Sequence, residues 1–293
     1  MTLTSIDLPE PSHIVTGEPR WKKILRTSSF YLFLSIGAVF ICLPLIWMIV
    51  SSVKPANQLF SIPIQWIPSE IRLSNYEQAW NTAPFGRYFL NSIFVSTTTT
   101  VLNLFFCSLT GYAFAKYNFP GKNFFFMLII ATLMIPFTVV VVPLFILVRD
   151  LQWVNSYAAL IVPGAISAFG IFLMRQFIST LPDELFDAAR IDGASEMGTF
   201  FRIVLPLSTA PLAALAVYVF LDNWNSLFWP LVVTTRDEFR TVAVGLTQFQ
   251  TVHGTKYHLM MAASTLVVVP MLVVFFFLQR YFIRGIALSG IKG

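Results

Sequence analysis

The chain has 293 residues, of which 56% are hydrophobic, 16% aromatic and only 11% charged, with a mean hydropathy of +0.73. Soluble domains carry about 25% charged residues, so the composition excludes an ordinary cytosolic enzyme, a disordered chain and a disulfide-stapled secreted domain, and is that of an integral membrane protein. The net charge of +5 comes from basic residues spread along the chain at segment ends, whereas a nucleic-acid partner would require one clustered basic face.

Residues 1–26 read as a cytoplasmic tail, loose and polar over residues 1–19 with Pro9, Pro11 and Pro19. The following region, 27–285, divides at its charges. No Asp, Glu, Lys or Arg occurs from Thr27 to Val53, Tyr88 to Ala115, Asn123 to Val148, Leu151 to Met174, Ile203 to Leu221, or Tyr257 to Gln279. A membrane-crossing helix needs about 20 apolar residues. Each stretch holds one, the fifth continuing past Asp222 to about Val233, with Pro230 able to break it. Long apolar runs without alternation favour helices over a barrel, so the expected fold is an all-α membrane protein of six spans. Pro136 and Pro143 in span three, and Pro163 in span four, read equally as flexing kinks or static packing features. The run Phe30 to Val50 is longer than a signal-peptide core of roughly 7–15 residues and leads into no small-residue cleavage site.

Orientation follows from Lys and Arg. With the N-terminus inside, the inner segments hold twelve of the nineteen basic residues and the outer segments seven. The excess belongs on the cytoplasmic side, which places both termini there. Cys42 and Cys107 lie in apolar stretches and read as small hydrophobes. His13, His253 and His258 form no metal-ligand or nucleophile pattern, and no G-x-x-x-x-G-K-[ST] phosphate loop is present. No bond-making chemistry is expected.

The inner loop 181–206 is the most informative segment. Pro182 suits a first helical position, with Asp183 and Glu184 at the positive end of the dipole. Leu185, Ala188 and Ala189 share one face at i, i+3, i+4. Gly193 reads as a left-handed stop, Ser195 caps a second short helix, and Pro206 separates that helix from span five. On these grounds alone the product is a helical hairpin, either lying on lipid headgroups or docking another protein.

Asp187-Ala188-Ala189, then Gly193, then Ile203-x-Leu205-Pro206 resembles the "EAA" loop of membrane subunits of bacterial binding-protein-dependent ABC importers. Asp187 stands where that family usually has Glu. The resemblance extends along most of the chain to the maltose-type sugar permeases, through Ser51–Pro55, Asn75-Tyr76, Asn91-Ser92, Phe119–Lys122, Trp224-Asn225, Trp229-Pro230 and Ser289–Gly293. It implies a type I importer permease fold at the bacterial inner membrane. It also implies coupling of Asp187, Ala188, Ala189, Gly193, Ile203, Leu205 and Pro206 to a cytoplasmic ABC ATPase dimer, which would hold the ATP and Mg. A second, homologous permease and an extracytoplasmic solute-binding protein are the further implied partners. In some relatives a tail like Ser289, Gly290 and Lys292, within 286–293, reaches the ATPase; a frayed terminus is the equal alternative. The outer loop Thr234–Tyr257 matches the region that meets the binding protein.

Asp222, Asn223, Trp224, Asn225, Phe228 and Trp229 combine an acid, amides and aromatic rings, a mixture that suits a polyhydroxylated solute. A carboxylate in a span costs about 2.5–3.5 kcal/mol at the bilayer centre and should face water or a partner. The alternative is that both Trp residues are interfacial anchors and Asp222 approaches the outer surface. The function expected is permeation of a sugar, polyol or small glycoside. A glycerol-phosphate permease of the same family is the runner-up, although no arginine pair lies along the spans, and an ATP-independent carrier is a third reading.

Overall fold

The computed structural model describes residues 20–251 and 254–289. The chain forms two compact units, Met1–Trp47 and Met48–Gly293. The first consists, in its described part, of most of α1 (Arg20–Ser52), a helix with Pro44 inside it. Phe33, Phe40 and Ile41 are each about three-quarters exposed, as befits a helix apolar on all sides and made for lipid.

The second unit opens with an irregular loop and α2 (Ser74–Asn81), followed by α3 (Phe85–Lys116), α4 (Lys122–Thr132) and α5 (Phe137–Asp150). Next come α6 (Tyr157–Ile161) with a 3₁₀ turn at Val162–Gly164, then α7 (Ala168–Ile178) and α8 (Glu184–Ile191). A short α9 (Glu196–Thr199) runs through a π turn at Phe200–Val204 into α10 (Leu205–Leu207). The remainder is α11 (Thr209–Asn225), α12 (Phe228–Val233), α13 (Val242–Leu246), an antiparallel two-residue pair pairing Gln250 with Thr255, and α14 (Tyr257–Ser289).

The long α3 is central, flanked by α7 and α11, and α14 packs on α11. Small residues set these distances, because between apolar helices in lipid close van der Waals contact is the main attraction. A methyl group on Gly111 of α3 would come within 2.8 Å of the Met174 Cβ and of the Arg175 amide nitrogen, and one on Gly170 within 2.7 Å of the Cys107 sulfur. Three clusters fill the interior: Cys107, Tyr112, Met174, Phe186, Phe200 and Leu215; Phe85, Tyr88, Trp224, Val242, Phe249 and Ala262; and Val95, Val141, Leu160, Trp229 and Val233.

Among the described residues four helices are long and apolar enough to cross a membrane: Ile24–Ser52, Phe85–Lys116, Tyr157–Ile178 and Tyr257–Phe277. Six is reached only if each of two bent pairs is one span. Lys122–Thr132 turns by 100° into Phe137–Asp150, and Glu196–Leu207 by 80° into Thr209–Asn225. Pro136 sits at the first bend as the extended cap of α5, whereas Pro143 lies within α5 without breaking it.

Two expectations need correction here. The break in span five falls upstream of Pro230 and not at it: α11 stops at Asn225, Ser226 is extended, and the helix resumes at Phe228. A proline ring clashes with the carbonyl four residues earlier, which for Pro230 is Ser226, so Pro230 is accommodated in the first turn of a new helix. The turn into span five likewise comes at Ser208, two residues beyond Pro206, which lies inside α10.

Gly111→Val should overpack the α3–α7 contact. The expected loss is about 1–3 kcal/mol, read as a lowered melting temperature in detergent, while Gly37→Val, which meets nothing within 4 Å, should leave it unchanged.

Candidate functional site

Loop 181–206 folds as two short helices about Gly193, whose φ is +76° and which has no atom within 4 Å of the place a Cβ would occupy. Ser195 Oγ accepts the Gly198 N–H at 3.1 Å, capping α9. The first helix begins at Glu184, after an Asp183 cap, so Pro182 precedes the helix instead of opening it. Its inner face also differs from the expected Leu185, Ala188 and Ala189. Phe186 and Ala189 are buried, while Leu185 and Ala188 stay outside with Ile191. Phe186 wins the inner side because its ring stacks on Tyr112 at 5.8 Å beneath the Lys116 ammonium.

The end of α3 clasps this hairpin. Lys116 Nζ donates to the Leu181 carbonyl and to Asp183 Oδ1, both at 2.6 Å. Tyr112 and Tyr117 both donate to the Glu196 carboxylate, and Glu196 also faces Arg190 at 3.8 Å. Burial first, then the bond to Glu196, keeps the Tyr117 phenol protonated well above its usual range. Asp187 pairs with Arg190 at 3.4 Å. Farther along, Ile203 and Leu205 are half-buried and Pro206 is exposed. Ser289 ends α14; Gly290 and Lys292 lie outside the described residues.

The second feature is a pair of cavities between the broken spans. One of about 750 Å³ is lined by residues that include Phe137, Leu160, Asp222, Asn223, Phe228 and Trp229. Another, of about 260 Å³, includes Asn103, Ser167, Tyr218, Asp222 and Asn223. Pro163, Gly164, Asp222 and Asn223 border both, so they form the wall between the two. Of the path residues expected from sequence, Asp222, Asn223, Phe228 and Trp229 converge here. Trp224 does not: it is fully buried, donates to the Val267 carbonyl of α14 at 3.2 Å and stacks on Phe220. Asn225 is exposed and bonds back to the Leu221 carbonyl at 2.8 Å.

Several positioning residues carried no recognisable role in sequence. Asn103, within an apolar helix, donates to the Gly164 carbonyl at 2.9 Å and so holds the unwound part of span four. Asn91 donates to the carbonyls of Glu238 and Arg240 at 2.9 Å, Ser92 Oγ accepts the Val242 N–H, and Tyr88 donates to Asp237, which pins the loop after α12. Asn75 donates to the Ser52 and Lys54 carbonyls at 2.9 Å, and Lys54, itself buried, donates to the Gln65 carbonyl. The isolated Asn and Lys beside apolar runs were the available signal; their partners lie up to 149 residues away.

Membrane-length helices among the described residues, a largely apolar cavity with Asp222 and Asn223 in its wall, and a clasped hairpin together fit a multi-pass transport subunit. Residues 107–288 match the family described as the inner membrane component of binding-protein-dependent transport systems, and the chain belongs to that family. It is 41% identical to the arabinooligosaccharide transport system permease protein AraQ of Halalkalibacterium halodurans, covering 89% of this chain and 96% of the relative. It is 37% identical to the sn-glycerol-3-phosphate transport system permease protein UgpE of Yersinia enterocolitica, over 88% and 95%. A bacterial ABC transporter involved in the import of alginate has a chain of the same fold, with TM-score 0.78 at 22% identity, covering 92% of this chain and all of that one.

Lys116 draws the Asp183 carboxylate below its ordinary value of 3.8. A depressed carboxylate stabilises the fold above its unfolded pKa and loses that contribution as pH falls through the folded pKa. The protection factors of the α8 amides against hydrogen exchange should therefore fall on acidification below about pH 3.8. Asp183→Asn should show no such step, and because Asp183 is exposed, added salt should shrink the effect.

Proposed function

We propose that this chain is one of two permease subunits of an ATP-driven importer for a neutral sugar, polyol or small glycoside. ATP and Mg belong to a separate cytoplasmic ATPase dimer, and a solute-binding protein delivers the cargo from outside. The observation that carries the coupling role is the hairpin's division of labour. Its inner side, Phe186, Ala189 and Glu196, is bound to the end of α3, while Leu185, Ala188, Gly193 and Ile191 face outward uncovered. Such a surface passes a push on α8 directly to α3, α7 and α11. Asp187 is exposed on the same helix, which supports its assignment to the same contact, and the resemblance alone extends that assignment to Ile203, Leu205 and Pro206. With the hairpin cytoplasmic, the basic-residue excess places both termini inside and the loop after α12 outside, toward the binding protein.

The cavity supports the solute class. Its wall carries one carboxylate and one amide among aromatic rings, and neither cavity's lining includes Lys or Arg. A phosphate ester there would meet Asp222 without a compensating cation, an unfavourable like-charge encounter. This weighs against glycerol phosphate despite the relative that carries it, and the 41% identity to an arabinooligosaccharide permease favours a saccharide. Asp222 also serves the third reading, an ion-coupled carrier, but such a carrier has no use for the outward-facing hairpin.

Affinity purification in mild detergent tests the reading. A stoichiometric ATPase and a second permease should accompany the chain, and the binding protein made with them should take up a neutral saccharide. A homo-oligomer without ATPase, after cross-linking to prevent detergent loss, would favour the ion-coupled carrier. A variant sharpens the test. Gly193→Asn keeps a residue that tolerates the left-handed conformation and should transport. Gly193→Trp should remain in the membrane yet lose about tenfold or more in uptake, since truncating or blocking an interface centre commonly removes about 2 kcal/mol or more. Full transport by Gly193→Trp would sink the docking role.

A further inference from the structure

The turn joining α3 to α4 and the last turn of α7 border an open cavity of about 440 Å³. It lies on the same face as the hairpin, because Lys116 precedes this turn and binds Leu181, three residues beyond the end of α7. Asn118, Phe119, Lys122, Asn123, Phe124 and Arg175 line it.

Its charge is unbalanced. The sequence contains no acid between Glu77 and Asp150, and Asp183, which follows α7, is taken by Lys116. Among the described residues neither Lys122 nor Arg175 has a carboxylate within ion-pair distance. The Arg175 guanidinium lies 3.8 Å from the centre of the Phe126 ring, and its Nε donates to the Phe114 carbonyl at 3.4 Å. It is thereby held planar in the cleft, with its terminal donors unclaimed among the described residues. Gly121 caps α4 in the left-handed conformation without a side-chain cap, and the N–H groups of Asn123 and Phe124 find no acceptor among the described residues. Two cations, two amides and a helix N-terminus therefore converge on one cavity, a donor set suited to phosphate oxygens.

We propose that this cavity binds the phosphate group of an anionic phospholipid. The phosphate would neutralise the repulsion between Lys122 and Arg175, and the rim explains why a lipid is preferred over free phosphate. Phe119 and Phe124 border the cavity, and the exposed Phe124, Met127 and Leu128 of α4 continue outward as an apolar strip along which acyl chains can lie. Basic pockets between spans at a membrane face recognise lipid headgroups in this manner. The inference rests on the membrane placement proposed above, not on the identity of the solute. It ties lipid binding to the segment between α3 and α7, the two helices that flank the hairpin.

Native mass spectrometry of the purified chain, with whatever subunits accompany it, tests this against phosphatidylglycerol, phosphatidylethanolamine and inorganic phosphate. One phosphatidylglycerol should be retained in preference to phosphatidylethanolamine. Lys122→Ala should weaken retention about fivefold and a Lys122→Ala/Arg175→Gln pair more than tenfold, while Arg175→Lys, which keeps the charge but loses the planar fork, should weaken it less than Arg175→Gln. Should Arg175→Gln fail to fold, Lys122→Ala, at a half-buried position, alone decides. Displacement of the lipid by an equal concentration of inorganic phosphate would support the phosphate site and assign it to a soluble anion. Equal retention by wild type and Lys122→Ala, or no preference for phosphatidylglycerol, would overturn the proposal. The same spectra show which subunits travel with the chain, so the importer reading stands or falls separately.

Discussion

Backbone amides inside a membrane must find partners within the protein, since hydrocarbon offers none. The second unit depends on how it meets that constraint at two places where its helices stop. At Gly164 the freed carbonyl is taken by Asn103, and Ser167 caps the restarted helix by accepting the Gly170 N–H. At the end of α11, Asn223 and Asn225 return their amides to carbonyls four residues earlier, and Ser226 donates its N–H to Asn223. The two repaired breaks face each other, and irregular backbone that lines a cavity instead of lipid is the permitted form of a broken span. The cavities and their shared wall exist because these repairs are local.

The long α3 supplies much of the polar support along its length. Near its start Tyr88, Asn91 and Ser92 hold the loop after α12; midway Asn103 holds span four; at its end Tyr112 and Lys116 hold the hairpin. A single helix therefore touches the far loop, the cavity and the hairpin. Gly111 and Gly170 bring α3 and α7 into close contact, leaving little free volume to absorb a displacement. Such packing would pass on a movement imposed on the hairpin instead of damping it, which is the physical basis for coupling in the proposed function.

The helices were legible in the sequence to the extent that charge gaps mark apolar length. Span two, expected from Tyr88 to Ala115, is Phe85–Lys116 in the structure, and the Gly193 corner and Ser195 cap follow from local conformational preference. Pro230 marked this span as breakable, but the stop five residues earlier at Asn225 was not read, because an Asp-Asn-Trp-Asn run within an apolar segment does not say whether its amides will bond back to the helix or face a solute. The face of α8 was misjudged for a related reason. Leu185, Ala188 and Ala189 satisfy helical spacing, but so do Phe186 and Ala189, and only the Tyr112 ring and the Lys116 ammonium choose between them. Trp224, grouped with the path by adjacency, points instead into the α11–α14 interface, since neighbouring positions on a helix diverge by about 100°.

What the sequence by itself determined is the solvent and the local grammar: too few charges for a water-exposed surface, apolar runs of spanning length, and a helical hairpin turned by a glycine that accepts positive φ. These depend on interactions within a few residues or on bulk transfer energies, which add along a chain. The tertiary structure alone decided which polar side chains are staples and which line a cavity. It also decided that Lys122 and Arg175 share a cleft while Lys116 has its acid. Such outcomes depend on hydrogen bonds and Coulomb terms between residues from 53 to 150 positions apart. They act over a few ångströms in space and leave no periodic mark in sequence.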